Sequence, residues 1–202
     1  LCASKVLDFA DRRVIDSYGD GYARTGIAFK VGILARDRGQ FSKPLEVLSP
    51  CAAASIYRRS LFEDIGVFDE DFFCYMEDVD IGLRAALAGY RCLVVPDALV
   101  YHIGSASTGG GMSAFSLLMT AQNFPMVVCK NIPGAILWKI LPRVVAAQAV
   151  LVMQTLLGQR PDIARNFRCY WQGLWRSLRN LPGALQKRWL IQRQRRISAG
   201  LR

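Results

Sequence analysis

Between Val79 and His102 a helical pattern runs directly into extended chain, and that succession constrains the fold more than any other feature. Val79, Leu83, Ala86 and Leu87 recur at the i, i+4, i+7, i+8 spacing of one helix face, and Gly89 closes the helix. Arg91–Val95 then reads as a buried strand ended by Pro96. Ala98–Tyr101 reads as a second short strand that delivers His102 to its end. A helix with one apolar face must bury it, and the adjoining strands supply the layer that covers it, so an α/β class is expected. Asp80 and Arg84 stand one turn apart, spaced to pair on the helix surface.

The flanking segments fit around this unit. Residues 1–50 are punctuated by Gly19-Asp20-Gly21, Gly26, Gly32 and Arg38-Gly39, which favours short strands and loops over long helices. Val47-Leu48 reads as a short strand stopped by Pro50, and residues 58–65 as a short helix ended by Gly66. Gly104–Gly111 holds four Gly and three Ser or Thr, the composition of a mobile loop. From Met112 to Gly158 apolar residues dominate, interrupted by Pro125, Pro133 and Pro142. The longest late uncharged run, Val144–Gln159, has 16 residues. A spanning helix needs about 20, so an interfacial or protein-packed helix is expected there.

Charge is segregated. Residues 1–158 hold 15 Lys+Arg against 15 Asp+Glu, whereas residues 159–202 hold 11 basic groups and only Asp162, so the whole net charge of +10 resides in the tail. Phe167, Trp171, Leu174, Trp175 and Leu178 follow helical spacing there, with arginines between them. That is the pattern of a basic amphipathic helix lying in a membrane surface. A basic tail calls for an anionic partner, a membrane or a nucleic acid. The six cysteines show no metal or redox spacing and there is a single histidine, which argues against a structural zinc site. Reduced cytosolic thiols are the simplest reading. No signal peptide or internal repeat is evident. The chain starts at Leu1, and Leu1–Phe9 reads as the middle of an element, so it is expected to lack its natural beginning.

One window carries chemistry. Asp69–Asp80 reads Asp-Glu-Asp-Phe-Phe-Cys-Tyr-Met-Glu-Asp-Val-Asp, with six carboxylates in twelve residues and no base. Like charges this close repel, and need solvent, a cation or a bound partner. One reading is an acidic helix start, where the macrodipole favours Glu77, Asp78 and Asp80. The other follows from Phe72, Phe73 and Tyr75, which want burial and would set the Glu-Asp pair at the edge of a pocket as a general base. His102 carries both a structural and a functional reading. Its place between a strand and a glycine-rich loop is the usual one for binding residues in α/β proteins.

Tyr57-Arg58-Arg59-Ser60, Gly66–Phe73, Tyr75–Asp80, Arg84, Ala88-Gly89-Tyr90, Val95-Pro96 and Tyr101-His102 form an ordered series. Over Ser49–His102 that series resembles the C-terminal half of glycosyltransferase family 2, in the branch of rhamnosyltransferase-like enzymes that build bacterial surface polysaccharides. Weaker similarity extends through Val14–Gln40 and the apolar, basic C-terminus. The resemblance implies a Rossmann-like GT-A fold of which this chain is the acceptor-side part, followed by membrane-associating helices. The organisation it suggests is residues 1–113 for that half-domain, 114–158 for an apolar membrane-proximal segment and 159–202 for the basic amphipathic tail.

The resemblance further implies an inverting transfer from a nucleotide-sugar donor to a lipid-linked saccharide. Asp78 is then the base, Glu77 an acceptor-binding neighbour and His102 a contact of metal and diphosphate. The Gly104–Gly111 loop would close over the donor, and Asp80 and Arg84 would support the helix. The cofactor is a divalent cation, Mg²⁺ or Mn²⁺, and the protein sits peripherally or monotopically on the cytoplasmic face of the bacterial inner membrane. Ala52 stands where relatives often have Gly, and Gln122-Asn123 where many have Arg-Asn. The donor-binding half and its acidic metal motif are not found upstream of Leu1, and Asp8 and Asp11 do not match that motif, so this polypeptide alone is expected to be inactive.

Three rivals remain at this level. A truncated, non-catalytic transferase would act only as a membrane-docking module. A nucleic-acid-binding protein draws support from the tail's arginines and interleaved aromatics. Against it, those aromatics share one face and the neutral body offers no basic groove, so no nucleic-acid partner is expected. A metal-dependent hydrolase would need more ligands than one His and the Asp cluster provide.

Overall fold

The floor of the molecule is a five-stranded sheet in the order β2-β1-β7-β5, with β6 also pairing β1. This is a computed structural model, and it describes residues 1–104, 106, 113–157 and 163–197. The strands are β1 (Cys2–Asp8), β2 (Ile15–Ser17), β3 (Asp20–Tyr22), β4 (Ala28–Lys30), β5 (Leu45–Val47), β6 (Ser55–Ile56) and β7 (Cys92–His102). The helices are α1 (Arg59–Ile65), α2 (Glu77–Leu87), α3 (Ala114–Asn131), α4 (Gly134–Leu157) and α5 (Ile163–Arg193). β3 and β4 form a separate hairpin that pairs Asp20 with Lys30. The architecture is mixed α/β and GT-A-like, as the sequence pattern leads one to expect.

β1 and β7 run parallel, in a register that sets Asp8 beside His102. β7 is one strand of eleven residues where the pattern suggested two. The pairing jumps from Val95 to Leu99 between Ser4 and Lys5, so Pro96, Asp97 and Ala98 bulge out of the ladder. Pro96 has no N–H to give the ladder, and a bulge absorbs it without ending the strand. Nor is the strand buried on both faces. Cys92 and Val94 point into the core, while Leu93, Val95, Leu99 and Tyr101 are exposed.

Ala3, Leu7, Ile15, Tyr18 and Val94 pack together on the inner side of the sheet. α1 and α2 make a second cluster from Leu61, Ile65, Ile81, Ala85 and Ala88. α2 is pressed hard against the chain after β5. A Cβ on Gly82 would lie 2.3 Å from Ser49 Cβ, so only glycine fits there.

The Asp80–Arg84 pair is inside the protein, not on the helix surface. Arg84 Nε donates to Asp80 Oδ2 at 2.9 Å, and the side chains are 7% and 0% exposed. The guanidinium also donates to the carbonyls of Ile65 and Val67, both at 2.8 Å, which fastens the end of α1 and the chain beyond it to α2. Asp80 Oδ1 accepts from Asn131 Nδ2 at 2.8 Å and faces Lys130 Nζ at 2.9 Å. Lys130 pairs with Asp69 as well. Helical spacing cannot tell a solvent-facing ion pair from a buried one, because the i,i+4 pattern is the same.

Of the three prolines that interrupt the apolar region, only Pro133 separates helices. Pro125 and Pro142 lie inside α3 and α4. α4 therefore begins well before Val144. At 24 residues it is about 36 Å long, against a hydrocarbon core of about 30 Å. Gly134–Gln154 is long and apolar enough to cross a membrane, and little of it is buried in the protein. The shortness that argued against a span is thus removed by Pro142 being tolerated within the helix.

α5 packs along α3 through small residues. A Cβ on Gly173 would come within 2.4 Å of the Leu118 carbonyl oxygen, and Ser177 and Ala184 are buried on the same side. Part of the tail's positive charge is spent here. Lys187 Nζ lies 2.6 Å from both Asp69 and Asp71, and Arg188 donates to the carbonyls of Cys129 and Ile132 at 2.5 and 2.8 Å. Arg196 pairs with Asp64 at 2.7 Å. The outer face of α5 exposes Trp171, Trp175, Leu178, Leu185 and Trp189. Arg179 and Arg193 lie over the Trp175 and Trp189 rings at 5.4 and 4.3 Å.

Candidate active site

A cavity of about 770 Å³ opens between the start of α2, the β3–β4 hairpin, the Cys51–Ala53 segment and helices α3, α4 and α5. Glu77, Asp78 and His102 all line it. Asp80 and Arg84 do not, being held in the buried network described above.

Backbone strain aims Glu77 and Asp78 into this space. Phe73, Tyr75 and Met76 have φ of 58°, 66° and 68°, three left-handed non-glycine residues within four positions. Such conformations cost about 1–3 kcal/mol each and persist only when their surroundings hold them. Asn123 does the holding. It is fully buried, and its Nδ2 lies 2.9, 2.8 and 2.8 Å from the carbonyl oxygens of Phe72, Cys74 and Tyr75. Phe72 is also buried, beneath Lys130 Nζ at 4.7 Å from its ring. Phe73 departs from the expected burial of the aromatic run and is 80% exposed. Of the two phenylalanines, only Phe72 anchors the turn, together with Asn123.

Asp78 is pinned by backbone. Its Oδ2 accepts from Ala52 N at 3.1 Å and its Oδ1 from Val79 N at 2.8 Å. Burial raises its pKa, the two N–H bonds pull the other way, and the net shift is upward. A carboxylate with a raised pKa that is still fixed in orientation is a better proton acceptor than a solvated one. Burial, and next to it the charge of Asp78, raises the pKa of Glu77, whose Oε2 is buried without a partner among the described residues. Ala52 contributes only its N–H to this arrangement, and its side chain is exposed.

His102 is oriented from behind. Its Nδ1 lies 3.0 Å from Asp16 Oδ2, and Asp16 also accepts from Lys30 Nζ at 2.9 and 3.0 Å. Burial pushes the Asp16 carboxyl up, but the hydrogen bonds from Lys30 and His102 outweigh it and hold the pKa below the usual range. A carboxylate on one ring nitrogen is the arrangement that leaves the other available to a cation or a phosphate oxygen. Among the described residues no three His, Cys, Asp or Glu side chains gather as a metal-binding group. Among the described residues, His102 alone of the expected metal contacts faces the cavity with a ring nitrogen left over. Apart from Gly104 and Ala106, the glycine-rich loop expected to close over the donor lies outside the described residues.

Asp16, Asp20 and Lys30 were not legible in the sequence as site residues. They sit on three-residue strands, too short for a period-two pattern, and the turns around them dominate the reading. Asp20 is 5% exposed and lines the cavity, and its Oδ1 has no hydrogen-bond partner among the described residues. Burial, together with the charge of Asp78, pushes its pKa up to about 7. A carboxyl whose folded pKa exceeds its unfolded value of about 3.9 costs stability as it ionises, so wild-type stability should fall as pH rises from about 4 through about 7. Asp20→Asn should flatten that decline. Relative to wild type, the variant should gain up to about 4 kcal/mol between pH 4 and pH 8 in urea melts, and an unchanged pH dependence would contradict the assignment.

Two proteins of Mycobacterium tuberculosis, strains CDC 1551 / Oshkosh and ATCC 25618 / H37Rv, are each 50% identical to this chain over 54 residues. Both are named N-acetylglucosaminyl-diphospho-decaprenol L-rhamnosyltransferase. The match covers 27% of this chain and 18% of the length of either relative. No solved structure matches. A family model described as glycosyl transferase family group 2 matches residues 17–158, from the end of β2 through α4. That stretch is well over half of the chain and holds Asp20, Glu77, Asp78 and His102: the chain belongs to glycosyl transferase family group 2.

Proposed function

We propose that the protein is an inverting glycosyltransferase and that this chain carries its base and acceptor side. The observation that carries the reading is Asp78, fixed by Ala52 N and Val79 N at the wall of a cavity, with its pKa raised by burial. An acceptor hydroxyl hydrogen-bonded to Asp78 gives up its proton as its oxygen attacks the anomeric carbon, and the nucleoside diphosphate leaves from the opposite face. Glu77 holds a neighbouring acceptor hydroxyl. Asp20, largely protonated below about pH 7, can donate a hydrogen bond beside them.

A divalent cation, Mg²⁺ or Mn²⁺, would supply charge neutralisation to the departing diphosphate, and Nε2 of His102 would be a ligand for it among the described residues. The donor's base and sugar would be held by a donor-binding half outside these residues. The mycobacterial relatives, by name, act on a decaprenol-linked N-acetylglucosamine. That supports a lipid-linked saccharide as the acceptor here, in cell-surface polysaccharide synthesis.

A lipid-linked acceptor places the protein at a membrane, on the cytoplasmic face where nucleotide sugars are. α4 and the outer face of α5 support this. Trp171, Trp175 and Trp189 are half-exposed, and indole favours the headgroup region. Because Lys187, Arg188 and Arg196 are engaged within the fold, the charge free to meet anionic lipid is smaller than the tail's formal +10. The protein should co-sediment with anionic vesicles, and replacing the three tryptophans with Ala should weaken binding about tenfold or more. Equal binding by the variant, or retardation of DNA in place of vesicle binding, would contradict the membrane assignment. The transferase reading itself is tested by incubating the full-length protein, donor-binding half included, with nucleotide sugars and a short-chain lipid-linked saccharide. A new glycoside and free nucleoside diphosphate are expected in equal amounts, and the absence of both would overturn it.

A further inference from the structure

The cavity has two chemically different ends. Around Asp78 it is ionisable, with Asp20, Lys30, Glu77 and His102. Where α3, α4 and α5 close it, no charged side chain among the described residues lines it, yet it is not simply apolar: Gln148, Gln154, Asn166 and Tyr170 face it beside Leu151 and Phe124.

One pair at that end is fixed. The Tyr170 hydroxyl, on α5, donates to Gln148 Oε1, on α4, at 2.8 Å, and Tyr170 is 5% exposed. With its oxygen engaged, the Gln148 amide has a set orientation and presents its two N–H donors. Asn166 stands one turn before Tyr170 and shares its face of α5. Uncharged amides that offer donors and acceptors next to apolar surface suit a neutral, polyhydroxylated ligand. A diphosphate would find no counter-charge there.

We infer that the α3–α4–α5 end of the cavity is a saccharide subsite, in which the Tyr170-oriented amide of Gln148 reads a hydroxyl or amide group of the acceptor sugar. The inference rests on the transferase reading only for the word acceptor. The subsite itself is a statement about ligand chemistry. It makes α4 and α5 part of acceptor recognition as well as of membrane attachment, and it sets specificity away from the base. A site whose buried donors are shaped for a substrate group rejects analogues that lack it, because those donors are then left unpaired.

The test is an NMR titration of the protein with hexyl β-glucoside, and separately with hexyl phosphate, below their micelle concentrations. Wild type should bind the glucoside at this end, whereas the phosphate finds its counter-charges at the Lys30 and His102 end. Gln148→Leu should weaken glucoside binding about tenfold, the loss of one to two hydrogen bonds, with a smaller effect on the phosphate. Tyr170→Phe keeps the ring and its packing, and should weaken glucoside binding about threefold by releasing the amide. Thermal melts of both variants report whether the fold is intact. Equal glucoside affinity in wild type and both variants, an equal loss of phosphate and glucoside binding in Gln148→Leu, or no glucoside binding by wild type would overturn the subsite. If the glucoside binds through Gln148 but no nucleotide sugar yields product, the transferase reading fails and the subsite stands.

Discussion

In the full-length protein, donor-binding half included, Asp78→Asn should abolish sugar transfer while leaving donor binding nearly intact. The amide is isosteric and can still accept a hydrogen bond from Ala52 N or Val79 N, so the strained approach to α2 should survive. What it cannot do is take a proton from the acceptor hydroxyl. A general base contributes about 10²–10⁴-fold in rate, and a loss in that range is expected in steady-state turnover. Titration of the donor against the variant should give a dissociation constant within a few-fold of wild type. Turnover within about threefold of wild type would remove Asp78 from the role of base.

Asp80→Ala should have the largest effect on stability. Asp80 is fully buried and answers three groups at once: Arg84 Nε, Lys130 Nζ and Asn131 Nδ2. Removing it leaves two cations in the interior with half their compensation, and breaking a buried pair from one side costs about 3–5 kcal/mol. For a chain of this size each kcal/mol lowers Tm by about 2–4 °C, so a drop of roughly 10 °C is expected in thermal melts. The same change should loosen the Asp69–Lys130 contact and with it the turn carrying Phe72, so activity should fall beyond what the melting temperature explains. A destabilisation below about 1 kcal/mol would contradict the description of this network as buried and coupled.

What could be read from the sequence divides along physical lines. α2 and its Gly89 stop, the short helix ended by Gly66, and the delivery of His102 by a strand were legible because each is a local pattern with a local cause. Gly66 and Gly89 adopt φ of 80° and 87°, as their positions after helices demand. The Glu77-Asp78 pair was legible as chemistry because aromatic and acidic residues alternate around it. The Asp80–Arg84 pair was legible as a pair but not as a buried one, since its depth is set by Lys130 and Asn131 some fifty residues away. Asp16, Asp20 and Lys30 were not legible at all: their meaning comes from the pairing of β3 with β4 and from the end of β7, which are tertiary facts. The tail shows the same limit. Its helical amphipathicity is plain in the sequence, but the small-residue face of Gly173, Ser177 and Ala184 that docks it onto α3 is masked by the aromatic and basic residues around it.

Asp78 as the base, with Asp20 and Glu77 as hydrogen-bonding neighbours and no carboxylate acting as a nucleophile, commits the account to a single displacement. The direct test is the anomeric configuration of the product, read by proton NMR. The protein, given a nucleotide sugar of known configuration and a short-chain lipid-linked saccharide, should form a glycoside of inverted configuration. A product that retains the donor's configuration would contradict the assignment of Asp78 as the base of an in-line transfer.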